Sequence, residues 1–214
     1  MRALTRLVLA SSCALALAVA AAAAQEIDPR LGRLAPETRA PVAALIDSAR
    51  TARLPVEPLI QRSLEGTLKG APNELIVAAV RRLAADLAGA RSALNPAASS
   101  AELVAGAAAL RAGASPQVLQ ELRRRRRGSL TVALAVLTDL VASRVPVDSA
   151  AAAVLALAPG TPDADLVEFR RAVERDVALG ASPGAAVSTA ALVSGGAQST
   201  GLNTSGRQAR PTKP

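Results

Sequence analysis

The sequence predicts an all-α protein of about nine short helices. Three observations carry this. The 214-residue chain lacks Trp and Tyr and holds one Phe, so strand-favouring aromatics are missing. Its Ala, Leu and Val recur at helical spacing, and no segment alternates apolar with polar residues over the length of a strand. Short Gly, Ser and Pro clusters divide these segments at helix length.

Taken in order, residues 1–24 read as a signal peptide. Arg2 and Arg6 form a cationic start, an apolar run follows, and Ala22, Ala23 and Ala24 precede Gln25 as a small-residue cleavage site. Export near Ala24-Gln25 would place the protein in the periplasm or outside the cell and would remove Cys13, the only cysteine. A retained anchor is the competing reading, because the run approaches spanning length. Residues 25–40, with Asp28-Pro29 and Ala35-Pro36, read as a lead-in linker.

Residues 41–194 form the expected helical repeat domain, with helices at 41–52, 56–68, 73–93, 100–111, 117–126, 130–143, 147–157, 163–178 and 184–193. Ser99 and Glu102 have the spacing of a capping box. Residues 130–141 are apolar nearly all round but too short to span a bilayer, which marks a buried central helix. Leu166, Phe169, Val173 and Val177 share one face of the helix at 163–178, away from Glu168, Arg171, Glu174 and Arg175.

The punctuation repeats. Gly113-Ala114-Ser115-Pro116 and Gly180-Ala181-Ser182-Pro183 are identical, and each suits a left-handed helix stop, a hydroxyl cap and a proline in the next first turn. Arg53-Leu54-Pro55-Val56-Glu57 resembles Arg144-Val145-Pro146-Val147-Asp148, and Lys69-Gly70-Ala71-Pro72 is a looser form. Spacings of 30 residues from Pro116 to Pro146 and 37 from Pro146 to Pro183 suit an αα-hairpin repeat array, with a compact irregular bundle as the alternative. Residues 195–214 are polar and rich in Gly and Ser, with Arg207, Arg210 and Lys213, and read as a disordered basic tail.

The composition removes whole classes of chemistry. With no His, imidazole-dependent triads and metal cages are excluded. No glycine loop has phosphate-binding spacing. Asp163, Asp165 and Glu168 open one helix, where carboxylates complement the helix dipole; an oxygen-ligated cation is the alternative use. Lys69 beside Gly70 reads as a helix-terminal cation. Neither a catalytic residue nor a cofactor, metal or nucleic-acid partner is expected.

The net charge is +8, but it is local. Arg123, Arg124, Arg125, Arg126 and Arg127 are consecutive, and three further cations lie in the tail, so the body between is nearly neutral. Five consecutive residues sweep right round a helix, so the apolar stripe of Val118, Leu119 and Leu122 must end at Leu122 and the arginines project beyond it. They are the candidate site for an anion or acidic partner. The expectation is a scaffold for an envelope protein, or a binder of anionic lipid or polymer through this run.

Overall fold

A computed structural model describes residues 28–204, with side chains placed as far as Gly195. Residues 1–27, which include the expected signal peptide, and residues 205–214 lie outside the described residues.

Nine α-helices follow a 3-10 turn, η1 (Pro29–Arg33), among the described residues. They are α1 (Pro36–Thr51), α2 (Glu57–Leu68), α3 (Asn73–Leu94), α4 (Ser100–Arg111), α5 (Pro116–Arg125), α6 (Thr131–Ala142), α7 (Val147–Leu157), α8 (Asp163–Ala178) and α9 (Pro183–Thr204). From α2 to α8 each bound falls within one residue of its expected position. The two ends differ. The lead-in expected over 25–40 holds η1 and the first turn of α1, because Pro36 occupies a position whose missing N–H costs no helical bond. Leu31 and Leu34 are buried there, and Arg39 donates to the carbonyls of Leu31, Gly32 and Leu34. At the other end the tail expected from 195 is helical backbone as far as Thr204. No proline lies between Pro183 and Pro211 to interrupt the amide donors.

The helices lie in two rows. In one, α1 packs on α3, α3 on α5, α5 on α7 and α7 on α9; in the other, α4 packs on α6 and α6 on α8. Cross contacts of α3 with α2 and α4, of α6 with α7 and of α8 with α9 join the rows. The core between them is built from Leu, Val and Ala, with α6 in the middle. Leu134, Leu137 and Leu140 are fully buried, as expected of a helix apolar nearly all round. Phe169 and Val173 of α8 bury the expected face.

Without bulky rings the backbones approach closely. A Cβ on Gly106 of α4 would stand 3.0 Å from Leu94 Cδ1 and 3.1 Å from the Ala90 Cβ of α3. Such contacts let a small-residue core reach interior packing density.

The connections alternate in length. Odd helices pass to even ones through five residues (52–56, 95–99, 126–130, 158–162), and even helices pass to odd ones through four (69–72, 112–115, 143–146, 179–182). All four short turns have the same geometry. Their second residues, Gly70, Gly113, Arg144 and Gly180, have positive φ of 64°, 104°, 67° and 100°. Their third residues donate five positions back, Ala71 to Gly66, Ala114 to Ala109, Val145 to Leu140 and Ala181 to Asp176, at 2.9 to 3.1 Å. This is a Schellman stop, and it is what the repeated motifs encode. Two details depart from expectation. Arg144, and Arg53 in the first five-residue connection, take the left-handed position usually filled by glycine. Ser115 caps α5 without a side-chain hydrogen bond.

Candidate functional site

The arginine run ends α5 and enters the 126–130 connection. Leu122 is fully buried, so the apolar stripe stops where expected. Helical backbone ends at Arg125, and Arg126 is extended at φ −107° and ψ 120°. The five side chains fall into two groups, and the inward one has a member on each side of this break, Arg123 held by helical phase before it and Arg126 by the extended backbone at it.

Arg123 and Arg126 turn back toward the protein, against the expectation that the whole run projects beyond the core. Arg123 reaches Glu102 Oε1 at 3.1 Å and donates to the carbonyls of Arg126 and Gly128, both at 2.7 Å. Arg126 donates to the carbonyls of Ala158 and Thr161 at 2.6 and 2.8 Å and pairs with Asp163. Its side chain is 12% exposed. A planar guanidinium with five donors suits this work, because it can bond several loop carbonyls at once.

Arg124 and Arg125 both pair with Glu121 one turn earlier. Together with Arg127 they are exposed. The anion-binding candidate is thereby reduced to Arg124, Arg125 and Arg127, with one carboxylate offsetting part of their charge.

The residue missing from the sequence reading of this site is Glu102. Its capping box with Ser99 is present. Its second function is tertiary: Oε1 also accepts the Leu130 N–H at 3.0 Å. Burial raises the Glu102 carboxyl, but hydrogen bonds from the Ser99 and Leu130 amides and the Ser99 hydroxyl, with the charge of Arg123, outweigh it and hold the group below the usual carboxylate range. One carboxylate thus ties connection 95–99 to 126–130, and Arg126 ties 126–130 to 158–162. A glutamate three residues after a cap serine was the available signal, but its distant partners had none.

The acids that open α8 do not converge. Asp163 is paired with Arg126, whereas Asp165 and Glu168 line a groove of about 640 Å³ between α8 and α9. Among the described residues no group of three or more His, Cys, Asp or Glu side chains is placed to hold a metal ion. Lys69 bonds Glu65 at 2.6 Å at the end of α2.

A second groove, of about 630 Å³, crosses α2, α4 and α6. Its walls include Pro55, Pro58, Ala101, Val104, Ala108 and Ala135, and Val104 is 40% exposed. Polar groups stand at its margin: Arg30 forms a two-point pair with Glu57 at 2.8 and 2.7 Å. The Arg30 hydrogen bonds, followed by one from Gln61, lower the Glu57 carboxyl to about 2. Among the described residues no helix is long and apolar enough to cross a membrane.

Fold and site therefore define the described residues as an all-α protein with surface grooves, among them those of α8/α9 and α2/α4/α6, and a charge-laced edge. No protein-family model, curated protein or solved structure matches the chain.

Proposed function

We propose that the protein is an αα-hairpin repeat array acting as an interaction scaffold outside the cytoplasm, after removal of residues 1–24, with the α2/α4/α6 groove receiving an envelope protein. The alternation of five- and four-residue connections between two rows of helices carries this reading. Such arrays stack hairpin units and use the resulting extended surfaces for binding. The groove supports a protein partner in particular, because its walls are largely apolar and its neighbouring charges are already paired.

The test is site-directed photocrosslinking. Val104→Cys in a Cys13→Ser chain, carrying a benzophenone, should capture one dominant envelope protein, and unlabelled chain should compete. An Ala101→Asp, Ala108→Asp competitor with unchanged thermal unfolding should not compete. Capture no stronger than from the equally labelled Leu179→Cys control would overturn the reading. Peptide sequencing of the exported chain checks the cleavage position separately.

A second reading, attachment to an anionic surface, draws support from the exposure of Arg124, Arg125 and Arg127. Co-sedimentation with vesicles containing anionic lipid should then occur at low salt, weaken with added salt and be lost when the three become Gln. Absence of binding at low salt removes it.

A further inference from the structure

We propose that the α8/α9 groove is a docking site for a basic extended segment, and that its occupant is the chain's own residues 205–214. The groove has two unlike walls. Along α8 stand the acids Asp165, Glu168 and Asp176 with one cation, Arg175, so that wall carries a net negative charge; along α9 stand Thr189, Val193 and Ser194. Phe169, the only aromatic ring in the chain, lies at its base and is 2% exposed. Val193 on the rim is 69% exposed.

The carboxylates are incompletely neutralised. Glu168 pairs with Arg171 at 2.6 Å on an exposed face, and Asp176 meets Arg175 at 3.6 Å. Asp165 is exposed and forms no ion pair among the described residues. The wall therefore presents negative charge over an apolar base, and it calls for a ligand carrying cations on a narrow backbone.

Residues 205–214 match that demand in charge, spacing and reach. They hold Arg207, Arg210 and Lys213 and no acid. Extended chain from Arg207 to Lys213 covers about 20 Å, and helix from Asp165 to Asp176 rises about 16 Å, so the two charged rows are comparable in length. The tail starts from the groove's own wall: helix from Ser194 to Thr204 carries its root about 15 Å past the groove, and extended chain from Thr204 to Lys213 returns about 30 Å. Pro211 favours an extended backbone that needs no strand partner. Attachment in the same chain makes the encounter intramolecular, so pairs that are individually weak act at high effective concentration.

The test uses the full chain with Cys13→Ser and cysteines at Ala178→Cys and Thr212→Cys, carrying spin labels. Docking places the labels within about 20 Å, whereas the length of α9 holds an undocked tail root about 30 Å from the α8/α9 turn. A short-distance population at low salt is expected, falling about fivefold to tenfold at ~0.5 M salt. The same fall is expected when Asp165→Asn, Glu168→Gln and Asp176→Asn are combined. A tail-side set, Arg207→Gln, Arg210→Gln and Lys213→Gln, should match it without touching any described helix. The proposal is overturned by a broad distribution under all conditions, by a short population that survives both charge sets, or by one that grows with protein concentration and so arises between copies.

Discussion

The two kinds of connection reach order by different physics. The four-residue turns are closed locally: a left-handed residue and two backbone hydrogen bonds to the preceding helix are enough. The last two five-residue connections, 126–130 and 158–162, are tied from a distance, by Glu102, Arg123 and Arg126 acting across 21 to 37 residues of chain. Local closure leaves a sequence motif because the same few positions must always be filled. Distant closure leaves none, because any donor or acceptor that reaches the free backbone groups will serve.

The largest effect should come from breaking the distant closure. Glu102→Ala removes half of a capping box, leaves the Leu130 amide without its acceptor and takes from Arg123 its carboxylate partner, at a cost of about 2 to 4 kcal/mol. Denaturant unfolding should show this as a lower midpoint. Arg126→Ala should follow at about 1 to 3 kcal/mol, by uncovering the Ala158 and Thr161 carbonyls. Its effect should add to that of Arg124→Gln but not to that of Glu102→Ala, which shares its connection.

Breaking the local closure should cost less and should depend on which residue holds the turn. Gly113→Ala, at φ 104°, is expected to lose about 1 to 2 kcal/mol. Arg144→Gly at the equivalent position should instead gain about 0.5 to 1 kcal/mol, since it relieves a left-handed non-glycine residue. Thermal unfolding of the two variants checks the opposite signs.

Acidity sharpens the contrast further. The Glu102 carboxyl is held below its ordinary 4.5 in the folded chain, so its contribution is present above pH 4.5 and declines as pH falls through the folded value. The stability gap between the parent chain and Glu102→Gln should be level near neutrality and should narrow in acid. The four-residue turns contain no carboxylate, so Gly113→Ala should show no such narrowing. Smallest of all, Arg124→Gln should change stability by less than about 0.5 kcal/mol, because its pair with Glu121 is solvent-exposed.

Helix positions were legible because each boundary carries its own chemistry. Gly113 and Gly180 stop helices, Pro116 and Pro183 begin them, and Ser99 with Glu102 caps α4. Pro41 misled the first boundary: proline marks a helix start well at the first turn, yet here it stands inside α1, whose first residue is Pro36. The arginines were found as a cluster, but their division was not visible, because it follows from the change to extended backbone at Arg126 and from acceptors on α4, α7 and α8. Neither groove was legible, since each is a space between helices distant in sequence.

The sequence by itself determined that the chain is helical, where α2 to α8 begin and end, and which faces are apolar. These follow from propensity, capping and periodicity, which act within one or two turns. Tertiary structure alone decided that two of five consecutive arginines became ties between connections while three remained outside, and that Asp163 was paired while Asp165 and Glu168 lined a groove. Those outcomes depend on which carbonyls and carboxylates the packed rows bring within about 3 Å of a donor, and proximity of that kind exists only after the helices have stacked.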